Sequence, residues 1–414
     1  MILYTEMTEI ALANEIALAN ILDKRFALRK LLVNASLHET TTSIDKTLLK
    51  PELEPFIRDQ LKTLALQLIA CPEKILCDTY SETERKKDWL ALLQKNVLAS
   101  ETGAIIAIDA RTRPGHKILD HHMPHFYAVT NYKGKSVQGL FTVSVLEKAL
   151  WTNLLMHSTP YKSEIRRMIT MTAGLGSVTK YRTVTSKALI QFFGAKRVLD
   201  PCTGWGGRML GCLAAGADTS YVGCEPDPNT AKGLRDILAD SALPAAVSAR
   251  ARIIAKPAEL ALVEDIGTME KFDMLLTSPP YFNLEMYTAG EQSSLKYPSW
   301  ECWTEQWLKP VILTSLACLK ADGVSCWSVK NFKTDKAYPL ADVTKKIHAE
   351  AGWHLVKTVA MTGSARPGAK GKEQTQAPAT QGPATQGPAT QAPAKKKSEE
   401  ETFCFRLSSK PVFV

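Results

Sequence analysis

Two short motifs, each closing an apolar run, constrain this chain more than any other feature. The first is Asp200-Pro201-Cys202-Thr203-Gly204-Trp205-Gly206-Gly207, which follows Val198-Leu199. The second is Ser278-Pro279-Pro280-Tyr281, which follows Phe272-Asp273-Met274-Leu275-Leu276. Short apolar runs stopped by Gly and Pro read as buried strands, with the motifs at their mouths. Around them strand and helix alternate. A helix over Ser186–Phe193 precedes the strand Arg197–Asp200, and a helix over Gly207–Ala215 follows it. Next come a strand over Ser220–Glu225, a helix over Asn229–Leu238, a strand over Arg252–Ala255 and the strand Phe272–Thr277. A helix over Trp303–Leu319, a strand over Gly323–Val329 and a helix over Leu340–Ala351 lead to a closing pair, His354–Met361 with Thr402–Leu407. Such alternation predicts an α/β fold with a doubly wound, mostly parallel sheet. Open sheets of this kind bind ligands just outside the carboxyl ends of their strands, where both motifs fall.

With 414 residues the chain has room for two domains. Residues 1–165 read as an N-terminal mixed, mostly helical domain. Helices are expected over Glu9–Val33, Pro51–Leu68, Asp88–Leu98 and Val145–Met171. Between them lie β-rich runs at Ala104–Ile108 and Phe126–Val129, with Lys133-Gly134-Lys135 as a turn. Residues 166–362 plus 402–414 form the second domain, interrupted by 363–401. That insertion carries four copies of Thr-Gln-Ala/Gly-Pro-Ala from Thr375 to Ala394, then Lys395-Lys396-Lys397 and Glu399-Glu400-Glu401. Having almost nothing apolar to bury, it is expected to be disordered, at a hairpin tip where insertions cost little.

The net charge of +9 suits an anionic partner such as nucleic acid. Nine cysteines with no Cys-x-x-Cys spacing suggest reduced thiols in an intracellular, soluble protein. No run is long and apolar enough for a bilayer, and Met1-Ile2-Leu3-Tyr4-Thr5-Glu6 lacks the basic opening of a signal peptide, so no membrane partner is expected. The oligomeric state is open. Asp120-His121-His122 with His125 has no helical scaffold and no nearby cysteine, so no metal is expected there. Arg111, Arg113, His116 and Lys117 stand near Phe126, Tyr127 and Tyr132; this stretch fits phosphate and base contacts or a solvated loop equally. Arg166 and Arg167 read as helix-surface charges.

The motifs also carry chemistry. Gly204 and Gly206 let the backbone bend tightly and approach a ligand with no Cβ in the way. No Gly-Lys-Ser/Thr follows, so this is not a Walker loop. Glu225, at the end of the next strand, is placed to accept hydrogen bonds from ribose hydroxyls. An exocyclic base amine is a poor nucleophile because its lone pair is delocalised into the ring. Two acceptors on its N–H bonds, the Ser278 hydroxyl and the Pro279 carbonyl, would draw it toward tetrahedral geometry. Consecutive prolines stiffen the backbone that carries that carbonyl. Tyr281 offers a ring face to an extruded base. Cys202 follows a proline but sits inside the glycine loop, which argues against a nucleophilic role. The loop Tyr287–Pro298, with Gly290 and small polar residues, has the composition of a mobile cover.

Asp200-Pro201-x-x-Gly204-x-Gly206 together with Ser278-Pro279-Pro280-Tyr281 resembles the S-adenosylmethionine-dependent DNA amino-methyltransferases of the N4-cytosine and N6-adenine class. The resemblance covers roughly residues 178–362 and 402–408 and implies a Rossmann-like doubly wound methyltransferase sheet. It implies that Asp200, Pro201, Gly204 and Gly206 hold the methionine part of S-adenosylmethionine and Glu225 the ribose. Ala258 and Glu259 would lie at the adenine. Lys180 and Arg182, in Thr179-Lys180-Tyr181-Arg182, would belong to a further cofactor-side motif. Ser278, Pro279, Pro280 and Tyr281 would hold the target amine. Serine in first position is more frequent among N4-cytosine enzymes, so cytosine is slightly favoured, and adenine stays open. A separate recognition domain, usual in this family, would have to be residues 1–165. DNA is the implied partner, with RNA base methylation or an inactive nucleic-acid-binding relative as the alternatives.

Overall fold

The computed structural model describes residues 54–156, 161–175, 178–287, 292–362 and 401–408. The expected Glu9–Val33 helix and the 375–394 repeat lie outside them. Nine strands form one sheet: β1 (Leu98–Thr102), β2 (Ile105–Asp109), β3 (Arg197–Asp200), β4 (Ser220–Cys224), β5 (Ala251–Ile254), β6 (Phe272–Thr277), β7 (Leu319–Val329), β8 (Trp353–Thr362) and β9 (Glu401–Leu407). Their order is β1-β2-β8-β9-β7-β6-β3-β4-β5. From β5 through β7 every neighbouring pair is parallel, and β9 alone enters antiparallel between β7 and β8. Without β9, strands β3 to β8 follow the order of a dinucleotide-type, Rossmann-like fold. The chain first builds outward from β3 through β4 to β5. It then returns to β6 and builds the other way, so the topological switch point lies between β3 and β6.

Both faces of the sheet are covered, which is why its central strands read as continuous apolar runs. Val198, Met274, Leu276 and Cys326 point into one core, with α6 (Thr183–Phe193), α7 (Gly207–Leu213) and α8 (Pro228–Ala239). Leu199, Leu275 and Trp327 point into the other, under α10 (Lys309–Ala317) and α11 (Leu340–Glu350). Between α8 and α10 in sequence lies α9 (Ala258–Ala261), just after β5. The α6–α7 contact depends on Gly211, since a Cβ there would overlap the Thr183 carbonyl oxygen and the Ser186 side chain.

The first region is less separate than its sequence suggests. β2 pairs in parallel with β8, Ile106 opposite Val359 and Ile108 opposite Met361, so residues 98–109 extend the same sheet. Trp89 and Leu92 of α2 (Glu82–Gln94) and Ile118 of α3 (His116–His122) join its first core. A satellite core around Leu64, Leu150 and Ile169 is gathered by α1 (Glu54–Ala70), α4 (Val143–Leu155) and α5 (Lys162–Thr172), with Ile75 from the short turn Glu73–Leu76. The expected boundary at 165/166 falls within α5.

Local expectations differ in four places. The helix expected over Asp88–Leu98 starts earlier, at Glu82, because Ser81 and Glu84 close a capping box there, and Leu98 already begins β1. The run expected as one helix over Val145–Met171 is two, Val143–Leu155 and Lys162–Thr172. Phe126–Val129, expected as strand, lies mostly in a 3-10 turn, Pro124–Ala128, that sets Phe126 edge-on to Trp205 with ring centroids 5.0 Å apart. Arg166 is buried, not a surface charge; it pairs with Asp78 at 2.7 Å and its guanidinium stands 4.5 Å over Tyr127.

Gly211→Ala is expected to lower stability by about 1–3 kcal/mol, because the helices must separate to admit a methyl group. Chemical denaturation checks this through a lower midpoint at unchanged slope; an unmoved midpoint would mean that α7 can shift freely.

Candidate active site at the switch point

Both motifs open into one cleft of about 2720 Å³. Small-molecule pockets are typically ~300–1,000 Å³, so this one has room for a ligand and part of a larger molecule. The glycine loop at its floor is held by Asp200, which is 0% exposed. Its Oδ1 accepts from the Cys202 amide (3.1 Å) and the Thr277 hydroxyl (2.7 Å). Its Oδ2 accepts from Arg208 Nε (2.7 Å) and the Tyr221 hydroxyl (2.6 Å). Arg208, in the first turn of α7, also donates to the carbonyls of Cys202 and Thr203. Burial opposes its charge, but Asp200 more than offsets this and holds the guanidinium ionised. Asp200 therefore does not line the cleft, where the resemblance would set it against the methionine part. The protein's own donors occupy both its oxygens, and it braces the loop.

The glycines divide the work. Gly204 has φ +55°, and a Cβ there would meet nothing within 4 Å, so its bare backbone faces the cleft. Gly206, at φ +82°, turns the other way; a Cβ would stand 2.8 Å from Leu234 Cδ2, so it packs on α8 and does not line the cleft. Gly207 lies under Tyr181, whose carbonyl oxygen a Cβ would overlap. Pro201 and Trp205 line the cleft beside Gly204.

Glu225 stands at the end of β4 and lines the same cleft. Each carboxylate oxygen accepts one backbone N–H, Oε2 from Gly204 and Oε1 from Asp227, both at 2.9 Å. Each oxygen keeps a lone pair for a hydroxyl donor. Burial above all, with Asp227 and Asp200 nearby, pushes this carboxyl up to about 7. Ala258 and Glu259 open α9 on the next strand's side; Glu259 accepts from Trp307 Nε1 at 2.9 Å and pairs with Lys296 at 3.3 Å.

Ser278, Pro279, Pro280 and Tyr281 continue from β6 along the opposite wall. The Thr277–Asp200 hydrogen bond ties this motif directly to the glycine loop. The Tyr281 hydroxyl accepts from the Lys330 amide at 3.0 Å, and its ring meets Phe332 edge-on at 5.4 Å. Phe282 follows at φ +43°, alone among the described non-glycine residues with positive φ. For a bulky side chain this is strained and persists only where packing over-determines it. Trp300, Trp303 and Tyr338 supply that packing, with ring centroids 5.6–5.8 Å from Phe282.

Thr179-Lys180-Tyr181-Arg182 forms another part of the lining. Lys180 is paired with Asp120 at 2.6 Å and lies 4.3 Å over the Phe126 ring. Arg182 is half-buried, and its Nη1 has no hydrogen-bond partner. Burial first, then Arg113, depresses its pKa. Arg113 donates toward His116 Nδ1 at 3.1 Å, and both join the lining, as do Lys117, Phe126, Tyr127 and Tyr132. Arg111 turns away to pair with Asp109 at 2.9 Å.

Asp120, His121 and His122 do end a helix, α3, where no helical scaffold was expected, yet the three histidines of Asp120–His125 go to separate partners. His121 accepts from the Tyr80 amide, His122 meets Asp240 at 2.6 Å and His125 meets Thr230 at 2.9 Å. No group of three or more His, Cys, Asp or Glu side chains is set for a metal among the described residues. Burial and then Asp200 push the Cys202 thiol well up, which leaves it no nucleophilic thiolate. The loop expected as a cover lies outside the described residues at 288–291; Gln292, just after them, bonds the Tyr287 amide and the Glu285 carbonyl at 2.8 Å. Sequence reading missed Arg208, Tyr221 and Thr277, the partners of Asp200. Arg208 alone left a signal, a lone cation directly after the glycine loop.

No known family model matches the chain, and no curated protein does. Among solved structures it is similar to an SAH-bound methyltransferase of Podospora anserina (17% identity, 36% of this chain and 53% of that one, TM-score 0.26). It is also similar to a putative rRNA-methylase of Clostridium thermocellum (10%, 56% and 100%, 0.32). A third is the O-methyltransferase TomG of Streptomyces achromogenes, in complex with SAM (12%, 58% and 86%, 0.34). The chain thus spans about half of the Podospora protein. A functional reading rests on the site itself.

A ligand whose hydroxyls donate to Glu225 is expected to bind more tightly as pH rises through about 7, since only the ionised carboxylate accepts fully. The sign follows from the raised pKa: below it the group is protonated and one oxygen becomes a donor. Calorimetric titration of S-adenosylhomocysteine at pH 6 and pH 8 checks this; the preference should vanish in Glu225→Gln.

Proposed function

We propose that this chain is an S-adenosylmethionine-dependent DNA methyltransferase that modifies the exocyclic amine of an extruded base, N4 of cytosine ahead of N6 of adenine. One observation carries the reading: Ser278-Pro279-Pro280-Tyr281 lines the same switch-point cleft as Gly204 and Glu225, bridged to the glycine loop by Thr277 and Asp200. The cleft fits the cofactor. Open backbone at Gly204, free lone pairs on Glu225 and the mouth formed by Pro257, Ala258 and Glu259 suit an amino-acid tail, a ribose and a base in succession. S-adenosylmethionine, when bound, supplies an electrophilic methyl group on a sulfonium.

The protein's part is positioning and polarisation. The Ser278 hydroxyl and the Pro279 carbonyl accept the two N–H bonds of the target amine and free its lone pair. Pro279 and Pro280 fix the direction of that carbonyl, and the strained turn at Phe282, locked by Trp300 and Trp303, holds the motif from its far side. Tyr281 keeps its hydroxyl on the Lys330 amide and its ring edge-on to Phe332, and lines the cleft as the aromatic wall beside a base. No general base is required at the start, because the amine loses its proton only after transfer. Neither a covalent enzyme intermediate nor Cys202 takes part.

Ser278→Ala is expected to slow methyl transfer on the order of 100-fold or more, as loss of one preorganised polar partner does elsewhere, with cofactor affinity unchanged. Incubation with methyl-labelled S-adenosylmethionine and duplex DNA, followed by nucleoside analysis, tests the reaction. Labelled N4-methylcytosine or N6-methyladenine supports it and decides the base. Label in RNA alone, or none despite cofactor binding, would overturn it.

A further inference from the structure

The turn Asn131–Lys135 belongs to the first region, yet it is built into the wall of the cleft. Thr130 and Asn131 pair antiparallel with Met286 and Glu285, and the Tyr132 amide donates to the Leu284 carbonyl at 3.0 Å. Those partners lie three to five residues beyond Tyr281, so any displacement of the turn moves the loop that leaves the Ser-Pro-Pro-Tyr motif. The turn is also internally fixed. Asn131 Oδ1 accepts from the amides of Lys133 (2.9 Å) and Lys135 (3.1 Å), and Gly134 takes φ +67°. A turn held this way presents its side chains in one arrangement.

What it presents is an exposed aromatic ring with lysines beside it in the turn. Tyr132 is 40% exposed, Lys133 Nζ lies 5.4 Å from its ring centroid, and Lys135 is exposed. Neither lysine has an ion pair among the described residues, whereas Lys180 and Lys296 in the same cleft are each paired with a carboxylate. Lys330 and Lys333 line the cleft as well, likewise without a described ion pair. Stacking rings flanked by unpaired cations are what a nucleic-acid strand requires, the rings for bases and the cations for phosphates.

We propose that the Asn131–Lys135 turn is the DNA-contacting element beside the target base, with Tyr132 stacking on bases that flank the extruded nucleotide and Lys133 and Lys135 meeting phosphates. This rests on the DNA-methyltransferase reading above and adds which part of the first region touches the substrate.

The test uses the full chain and a labelled duplex whose binding is followed by anisotropy across a salt series. Lys133→Ala with Lys135→Ala is expected to reduce the slope of log affinity against log salt by about one to two, near 0.9 for each phosphate no longer neutralised. Tyr132→Ala is expected to weaken binding on the order of 10-fold, and Tyr132→Phe to restore it, since a stacking ring needs no hydroxyl. Thermal midpoints and S-adenosylhomocysteine affinity should stay at the wild-type values, because the turn touches neither core nor glycine loop. Unchanged affinity and slope in the variants would overturn the proposal even if the wild type methylates DNA, and so would absence of wild-type duplex binding. Conversely, loss of binding in the variants with no base methylation by the wild type would support the turn and remove the catalytic reading.

Discussion

The buried Asp200 carboxylate is the interaction on which the site depends. Its four donors come from the glycine loop, from α7, from β4 and from β6, so one group fixes the relative position of four elements. A buried carboxylate is costly unless every lone pair is used and a cation stands beside it. Arg208 supplies the cation, and the neutral donors supply the rest. Removing Arg208 would leave a buried charge unpaired, and removing a neutral donor would leave a buried lone pair unsatisfied. The two motifs, about eighty residues apart in sequence, are brought side by side by the β3–β6 pairing and tied at their ends by the hydrogen bond from Thr277 to Asp200.

Close backbone approach is the second constraint. Gly207, Gly211 and Gly223 have no room for a Cβ, against Tyr181, Thr183 and Thr203 respectively. Where the chain gives up side chains in this way, α6, α7 and the 179–182 segment close on the loop. Within the glycine loop Gly204 is the exception, with open space before it on the cleft side, and this separates it from the loop glycines that serve packing.

Much of the sheet was legible because parallel strands covered on both faces must be apolar throughout, and helices between them must be amphipathic. Val198-Leu199 and Met274-Leu275-Leu276 followed that rule. The site was legible as far as it depends on turn-forming residues at strand ends. Glu225, Gly204 and the Ser278–Tyr281 motif do line one cleft. Asp200 and Gly206 do not line that cleft, since a motif residue that braces a loop and one that faces a cleft look alike in one dimension. Phe126–Val129 was misread because its β-like composition reflects packing on Trp205, and Pro124 set a helical turn instead.

By itself the sequence determined the alternation of elements, the places where strands stop and the chemistry available at those stops. These are local matters, set by hydrophobic period, by glycine and proline geometry and by side-chain type. Only the tertiary structure decided that β2 extends the sheet through β8, that Arg166 is buried on Asp78, and that the Asn131–Lys135 turn pairs with the loop after Tyr281. Such pairings join segments tens to hundreds of residues apart. They arise from the shared need to bury apolar surface and satisfy buried polar groups, a condition that belongs to the whole chain at once.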